Sequence, residues 1–379
     1  MPLGGSSKLL KALNEAAALG HLLDHGQLTR AELRALTGLS KPTVSEAVRR
    51  LADADLVVGA GHETGRPGPN AEVYAVNPDA AYAVAMSVRD GAPSLTASLH
   101  DLRGVQRARL AVPTDFTRTD PATAVSATID ALCAAAGVGR GPVAHVQLAV
   151  AGAVDPRDRV IHHVDVPGWS RRGLLDDLTT AAAVPVEVDN DVNLAALAER
   201  AHGAAQGLPD GDGFVLLWLG DAGLGLAIDL GGGRLLRGAR GGAGEIGYMP
   251  VTVDGARDLH DLVSGEAVRA LAAQHGTDPT DRLTDNALLA ELAGRIVLGL
   301  AAVVAVLDPP LVVLGGEIGR AGGAALGEAV AKAMSRAAPL ETEIAVSTVE
   351  DDAPLLGAAD AALSAVRRVL LDRLRQPGA

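Results

Sequence analysis

The sequence predicts an α/β protein that carries a winged helix-turn-helix module at its N-terminus. Three observations lead there. The first stretch of chain shows a helix, helix, glycine turn, helix pattern. A polar, turn-rich segment behind it reads as a hairpin. From Tyr82 onward, strand-like apolar runs alternate with Ala/Leu-rich helical stretches. With 379 residues, 48% hydrophobic and 21% charged, the chain can build large cores in two or three domains. Residues 1–78 are expected to form the first domain and residues 79–379 the rest.

Leu9, Leu10, Leu13, Ala17 and Leu23 recur at helical spacing, and Gly26 stands where such a helix ends. Thr29-Arg30-Ala31-Glu32 is a capping box that starts a second helix, which Gly38 stops. A third helix begins at Ser40, which can cap it, and Pro42 is tolerated in its first turn. Val44, Val48 and Leu51 then face inward, leaving Lys41, Thr43, Ser45, Glu46 and Arg49 outward. In a helix-turn-helix the last helix enters the major groove N-terminus first. The segment "GAGHETGRPGPNAEVYAVNP" supplies the wing, with Arg66 at its tip in reach of a minor groove or of phosphates. Double-stranded DNA is therefore the expected partner, through Ser40, Lys41, Thr43, Ser45, Arg49 and Arg66. The plainer alternative is a helical cap packed on the rest of the chain, with Arg49 and Arg50 merely solvated. Turn, cap and wing falling in order favour DNA.

Charge divides the chain in the same place. The net charge is -13, yet the first 77 residues hold eight Lys/Arg and eight Asp/Glu, so all the acidity belongs to the remainder. An acidic body repels nucleic acid, whereas a neutral module binds it if its basic groups share one face.

In the body, "AYAVAMSV", "VAHVQLAVAG", "VPVEVD", "FVLLWLG", "LVVLGG" and "EIAVST" read as strands, enough for two sheets. Several end in Gly pairs or acidic residues, where α/β folds place ligands. There is no GxxxxGK[ST], GxSxG or HExxH. "GAGEIG" matches GxGxxG, but Tyr248-Met249-Pro250 follows it instead of a helix, which argues against a dinucleotide fold. Ten histidines are scattered, and the adjacent His162 and His163 point two ways on a strand, so no metal site is expected. Cys133, the only cysteine, reads as a buried inert thiol, and a reducing cytoplasm is the expected home. The longest apolar run, residues 296–307, falls short of the roughly 20 residues that cross a bilayer, and the N-terminus lacks a signal-peptide pattern. No membrane span is expected.

Six segments taken in order, "VAGAVDP", "VPGW", "VEVDNDVNLAALAE", "LLRGARGGAGEIGYMP", "DPPLVVLGGEIG" and "LLGAADAA", resemble the ROK family of repressors and sugar kinases over nearly the whole chain. The module ahead of them is similar to the repressor branch. The resemblance implies a two-lobed body of the actin and hexokinase shape (ribonuclease H-like), with a sugar in the cleft between lobes. In kinase members the residue matching Asp191 takes a proton from a sugar hydroxyl, and the one matching Asn190 binds the ring. On spacing alone Asp191 reads equally as a helix N-cap. Glu245 matches a sugar contact, its plainer reading being a solvated loop carboxylate. Asp165 stands where sugar-binding members commonly have Asn, and Gly152 of the first segment is carried over as a ligand contact. Trp169 reads as packing.

The departures from the pattern matter as much. Ser87 stands where the first phosphate loop, DxGxT, should have its Asp, and the second loop, "GDAGLG", has Ala222 in place of Thr. Losing both loops removes the anchors of Mg²⁺-ATP, so no cofactor and no catalysis are expected. The family's zinc-binding cysteines are missing near "GARDLHDLVSGEA", and Tyr248 replaces the usual His. Tyr248 then offers a hydroxyl to the ligand instead. The expected function is a transcriptional regulator of carbohydrate-related genes, a repressor by resemblance, that senses a sugar or sugar derivative. As a homodimer or homotetramer it would read an inverted-repeat operator with half-sites about 10 bp apart or a multiple. The alternative is an ATP-dependent sugar kinase with an appended DNA-binding module.

Overall fold

The computed structural model describes residues 4–62, 71–89, 94–221, 223–277, 283–337, 340–350 and 352–375. The chain opens with α1 (Gly4–His25), β1 (Gln27–Thr29), α2 (Arg30–Thr37), α3 (Lys41–Asp53), β2 (Val57–His62) and β3 (Glu72–Val76). The three strands pair antiparallel in the order β1-β3-β2. The capping box forms as expected: the Thr29 hydroxyl accepts the Glu32 N–H at 3.2 Å, and the Glu32 carboxylate accepts the Thr29 N–H at 2.8 Å. Gly26 closes α1 in the left-handed region, its N–H donating to the Leu22 carbonyl at 2.9 Å. Strand β1 is new relative to the sequence reading, because three residues carry no periodicity. The wing strands β2 and β3 are present, while the tip with Arg66 lies outside the described residues. Of the expected apolar stripe of α1 only Leu23 is buried; Ala17 is exposed, and the buried face instead carries Ala12, Ala16 and Ala18. Leu19 and Leu22 are buried, whereas Leu9, Leu10 and Leu13 are exposed.

The first lobe of the body contains β4 (Tyr82–Val88), β5 (Leu95–Asp101), β6 (Gln106–Val112), α4 (Pro121–Ala136), β7 (Val143–Val150), β8 (Ala153–Asp155), β9 (Val160–His162), α5 (Leu174–Ala182) and β10 (Val186–Asn190). Its five-stranded sheet runs β10-β7-β4-β5-β6, parallel from β10 to β4 and antiparallel beyond. Helices α4 and α5 cover one face through Val125, Ile129, Leu132 and Leu178. Trp169 is fully buried edge-on against Phe116, so it packs, as expected. Cys133 is buried as well, and burial pushes its thiol up, the behaviour of an inert core thiol.

Helix α6 (Asp191–His202) leads to the second lobe, made of β11 (Phe214–Leu219), β12 (Leu224–Asp229), α7 (His260–Val263), α8 (Gly265–Gln274), α9 (Asn286–Leu307), β13 (Leu311–Gly315), α10 (Gly316–Ala337) and β14 (Glu343–Val346). Its sheet is ordered β12-β11-β13-β14, with β12 the antiparallel edge. The apolar run at 296–307 belongs to the longer α9, which is long and apolar enough to cross a bilayer by length and composition. One side of that helix fills the lobe's core with Leu288, Leu292, Ile296, Leu300 and Val304.

The final helix, α11 (Ala353–Arg375), returns to the first lobe. Its N-terminal half lies beside α6 on the inner sheet face, where Leu355 and Ala358 meet Ala85, Ala149 and Leu194. Its C-terminal half shares a core with the N-terminal module, Ala362 and Val366 packing with Leu19, Leu22 and Leu23 of α1. The contact with α6 is close enough to require glycine, since a Cβ on Gly357 would run into the Leu194 carbonyl. Gly357→Ala is accordingly expected to destabilise the chain by about 1–3 kcal/mol, although Ala is the better helix former by about 1 kcal/mol. Denaturant unfolding checks the sign.

Candidate functional site

Both sheets direct the ends of their parallel strands at the gap between the lobes, and a cleft of about 580 Å³ opens there. Its lining includes Gly152, Asp165, Asn190, Asp191, Glu245 and Tyr248, which the structure brings together from both lobes. Arg89, His163, Asp221, Asp258, His260 and Glu317 line it too. The sequence reading had not assigned these six to the site.

The floor is set by how α6 begins. Asn190, not Asp191, is the N-cap: its side-chain oxygen accepts the N–H groups of Val192 at 2.9 Å and Asn193 at 3.1 Å. Its amide nitrogen donates to the Gly152 carbonyl at 3.2 Å, so the Asn190 side chain is committed to the protein. Gly152 itself sits against β9, where a Cβ would come 2.8 Å from the His162 carbonyl oxygen. Asp191 falls in the first helical turn, with one oxygen accepting the Val192 N–H at 2.9 Å. Burial pushes its carboxyl up to about 6; the Val192 N–H and Arg89 oppose this rise and Glu245 adds to it. Burial also raises Glu245, with His163 opposing. One residue before Asn190, the Asp189 carboxylate of the first lobe accepts twice from Arg237 of the second, at 3.0 and 2.5 Å.

At the rim, Asp165 is exposed and the Tyr248 hydroxyl lies 3.3 Å from His163 Nδ1, bridging the lobes. His163 has φ 57°, a strained value for a non-glycine residue. Its neighbour His162 turns away to Asp158 at 3.3 Å, so the pair does point two ways. Asp155, Asp158 and His162 lie close together, but both carboxylates already cap the β8–β9 turn through the N–H groups of Arg157 and Val160. The residues near the cleft do not fit a structural zinc site: Asp258 and His260 are present, and the chain's single cysteine is elsewhere.

Ser87 is buried at the end of β4. Across the cleft the Asp221 N–H donates to the Glu317 carboxylate at 3.3 Å, and Ala222 lies outside the described residues. Among the described residues the cleft thus presents many carboxylate acceptors and one arginine, a set suited to hydroxyl groups and ill-suited to a polyanion.

In the N-terminal module α3 presents Lys41, which is exposed, with Thr43 and Ser45 half-buried beside it. The Ser40 hydroxyl is used as the helix cap, 2.8 Å from the Thr43 hydroxyl. Arg49 is exposed but grips two carboxylates of its own helix, Glu46 at 2.9 Å and Asp53 at 2.6 Å. Hydrogen bonds from Arg49 and Arg50 hold the Glu46 carboxyl down to about 2.

The ROK family model matches residues 85–365, and a MarR family model matches residues 12–66. The bifunctional enzyme NanE/NanK of Brucella suis is 35% identical over 195 residues, which is 48% of this chain and 35% of that one. The xylose repressor of Bacillus subtilis is 26% identical over 257 residues, 65% of this chain and 63% of that one. The chain therefore spans about a third of the bifunctional enzyme and under two thirds of the repressor. Among solved structures, a ROK family transcriptional regulator, described as a homolog of the E. coli MLC protein, superposes with a TM-score of 0.70 at 21% identity, covering 98% of this chain and all of that one. The ROK hexokinase of Thermus thermophilus superposes at 0.59 with 27% identity, covering 76% of this chain and 99% of that one.

The raised Asp191 carboxyl fixes a pH signature. A folded-state pKa above the unfolded one means that keeping this group ionised costs stability, a cost present above about 6 and relieved as pH falls toward the unfolded value. Asp191→Asn is expected to stabilise the fold by about 2–3 kcal/mol at pH 8, at about 1.4 kcal/mol per unit. By about pH 4 the gain should vanish. Urea unfolding across that range measures it.

Proposed function

The chain belongs to the ROK family, and from that membership we propose that it is a transcriptional regulator, a repressor of carbohydrate-related genes, whose ROK body senses a sugar or sugar derivative without catalysing a reaction. The observation that carries the reading is the shared core of α1 and α11, which joins a MarR-type winged helix to a body whose sugar-facing carboxylates are intact. Similarity to the xylose repressor agrees with it. In this reading residues 1–78 are the DNA-binding domain and residues 79–379 the sensor. DNA as partner places the chain in the cytoplasm. Asp191, Glu245, Asp165 and Tyr248 contact the effector, while Asn190 and Gly152 shape the floor. Two-fold assembly into a dimer or tetramer pairs the modules on an inverted repeat.

Two observations favour the enzyme reading. A carboxyl near pKa 6 is well matched to act as a general base, and kinases are among the relatives. Against it stand the buried Ser87 in place of a phosphate-loop carboxylate, and Asp221 and Glu317, whose charges repel a triphosphate. A coupled assay with ATP and a hexose panel separates the two, with turnover expected far below the roughly 1 per second that is the low end for kinases. A thermal-shift screen of sugars, phosphosugars and amino sugars is expected to raise the melting temperature for the effector class.

On the DNA side, Lys41, Thr43, Ser45 and Arg49 are proposed to face the groove, with the Ser40 cap setting the helix start and Arg66 on the wing. Arg49→Ala is expected to weaken DNA binding and to lower the slope of log K against log salt by about one. Truncation also leaves Glu46 and Asp53 without that guanidinium on the DNA-facing side. An unchanged affinity and slope in a salt titration would remove Arg49 from the interface.

A further inference from the structure

Arg89 lies where the cleft meets α11. Its side chain lines the cavity at the end of β4 and is close enough to Asp191 to oppose the rise in that carboxyl's pKa. Its guanidinium reaches Asp352 at 2.6 Å, and the Asp352 side chain is only 9% exposed. Asp352 in turn starts α11: its carboxylate accepts the Leu355 N–H at 3.2 Å and its carbonyl the Leu356 N–H at 2.9 Å. The first turn of α11 also reaches the cavity, since Pro354 lines it. One guanidinium thus pairs with the cap of the helix that packs on α1 while lining the same cavity as the floor carboxylate, Asp191.

Farther along, α11 has little freedom to move independently of its neighbours. Gly357 lies against the backbone of α6, the helix that Asp191 begins, and Arg367 donates twice to the Leu102 carbonyl, at 3.3 and 3.0 Å. Beyond these points Ala362 and Val366 share the core of the DNA-binding module. A packed helix of this kind transmits a change at its cap as a shift or loosening of the whole element, because cores accommodate discrete rearrangements and not gradual ones.

We propose that Arg89 is the positioning residue that couples the cleft to the DNA-binding module, by dividing its charge between Asp191 and the Asp352 cap. The inference rests on the effector-cleft reading above. A polar ligand that takes up the Asp191 carboxylate alters the hold of Arg89 on Asp352, and the change is carried along α11 to α1. The role differs from simple cleft architecture in that its effect appears in the N-terminal module, whose shared core with α11 lies farther along the helix, at Ala362 and Val366.

Hydrogen exchange on the full chain without ligand tests this. Two variants are used: Arg89→Ala, and Asp352→Asn, which keeps a good N-cap while removing the charge. Both are expected to speed exchange about threefold, as for loss of a partly screened ion pair, at amides 355–358 of α11 and at amides 16–25 of α1. Amides of α4, on the other face of the sheet, should not change, and Arg89→Lys should restore most of the protection. Faster exchange confined to the first turn of α11, or equal loosening of α4, would overturn the proposal. A second arm adds D-glucose or D-xylose to the wild-type chain. If neither moves the melting temperature, the sensing of these sugars fails, while the ligand-free comparison still decides the role of Arg89.

Discussion

Burial of α11 on several sides at once constrains everything else in this molecule. A helix in such a position can be displaced only by disturbing α6, the inner face of the first sheet and α1 together. Apolar burial supplies the energy and has no direction, so the geometry is set by close approaches such as Gly357 against Leu194. The last 23 residues of helix thereby make one body of a module and a two-lobed domain that are separate in sequence. Without α11, the buried second half of α1 would lose part of its apolar partner surface.

The cleft owes its chemistry to a similar economy. Helix α6 needs an N-cap, and Asn190 supplies it with a side chain that has no charge to spend. Asp191, one residue later, then keeps a carboxylate that the helix start does not fully use. Burial makes that carboxylate expensive to ionise, which is how binding sites commonly trade stability for function. Arg237 on Asp189 and Tyr248 near His163 cross from one lobe to the other, so the lobes are tied at two places.

Much of this was legible in the residues. The strands β4, β7, β11 and β13 are buried along nearly their whole length and read as apolar runs, broken only by Ser87 in β4 and by His145 and Gln147 in β7, while Thr29 and Glu32 mark the start of α2. Edge strand β6 was missed because it alternates polar residues with half-buried ones, and β12 because its glycine dilutes the strand signal. At the site, Asp191 and Glu245 stood in recognisable segments, but the choice between cap and ligand turned on a one-residue offset in the start of α6. Arg89, after β4, and His260, at the start of α7, reach the cleft only because elements distant in sequence converge there, and no local pattern marks them. The strained backbone at His163 is likewise invisible to composition.

The ion pairs that Arg49 makes with Glu46 and Asp53 have a kinetic meaning. On the proposed reading of α3 as the DNA-reading helix, its Arg49 guanidinium would be already neutralised off target, so random duplex would exert little pull on that residue. Long residence on arbitrary sequence is thereby shortened, which matters when a genome offers millions of decoys for each true site. On that same reading, exchanging two intrahelical carboxylates for a phosphate would be favourable only where the remaining contacts fall into place, so the helix would search lightly and settle selectively.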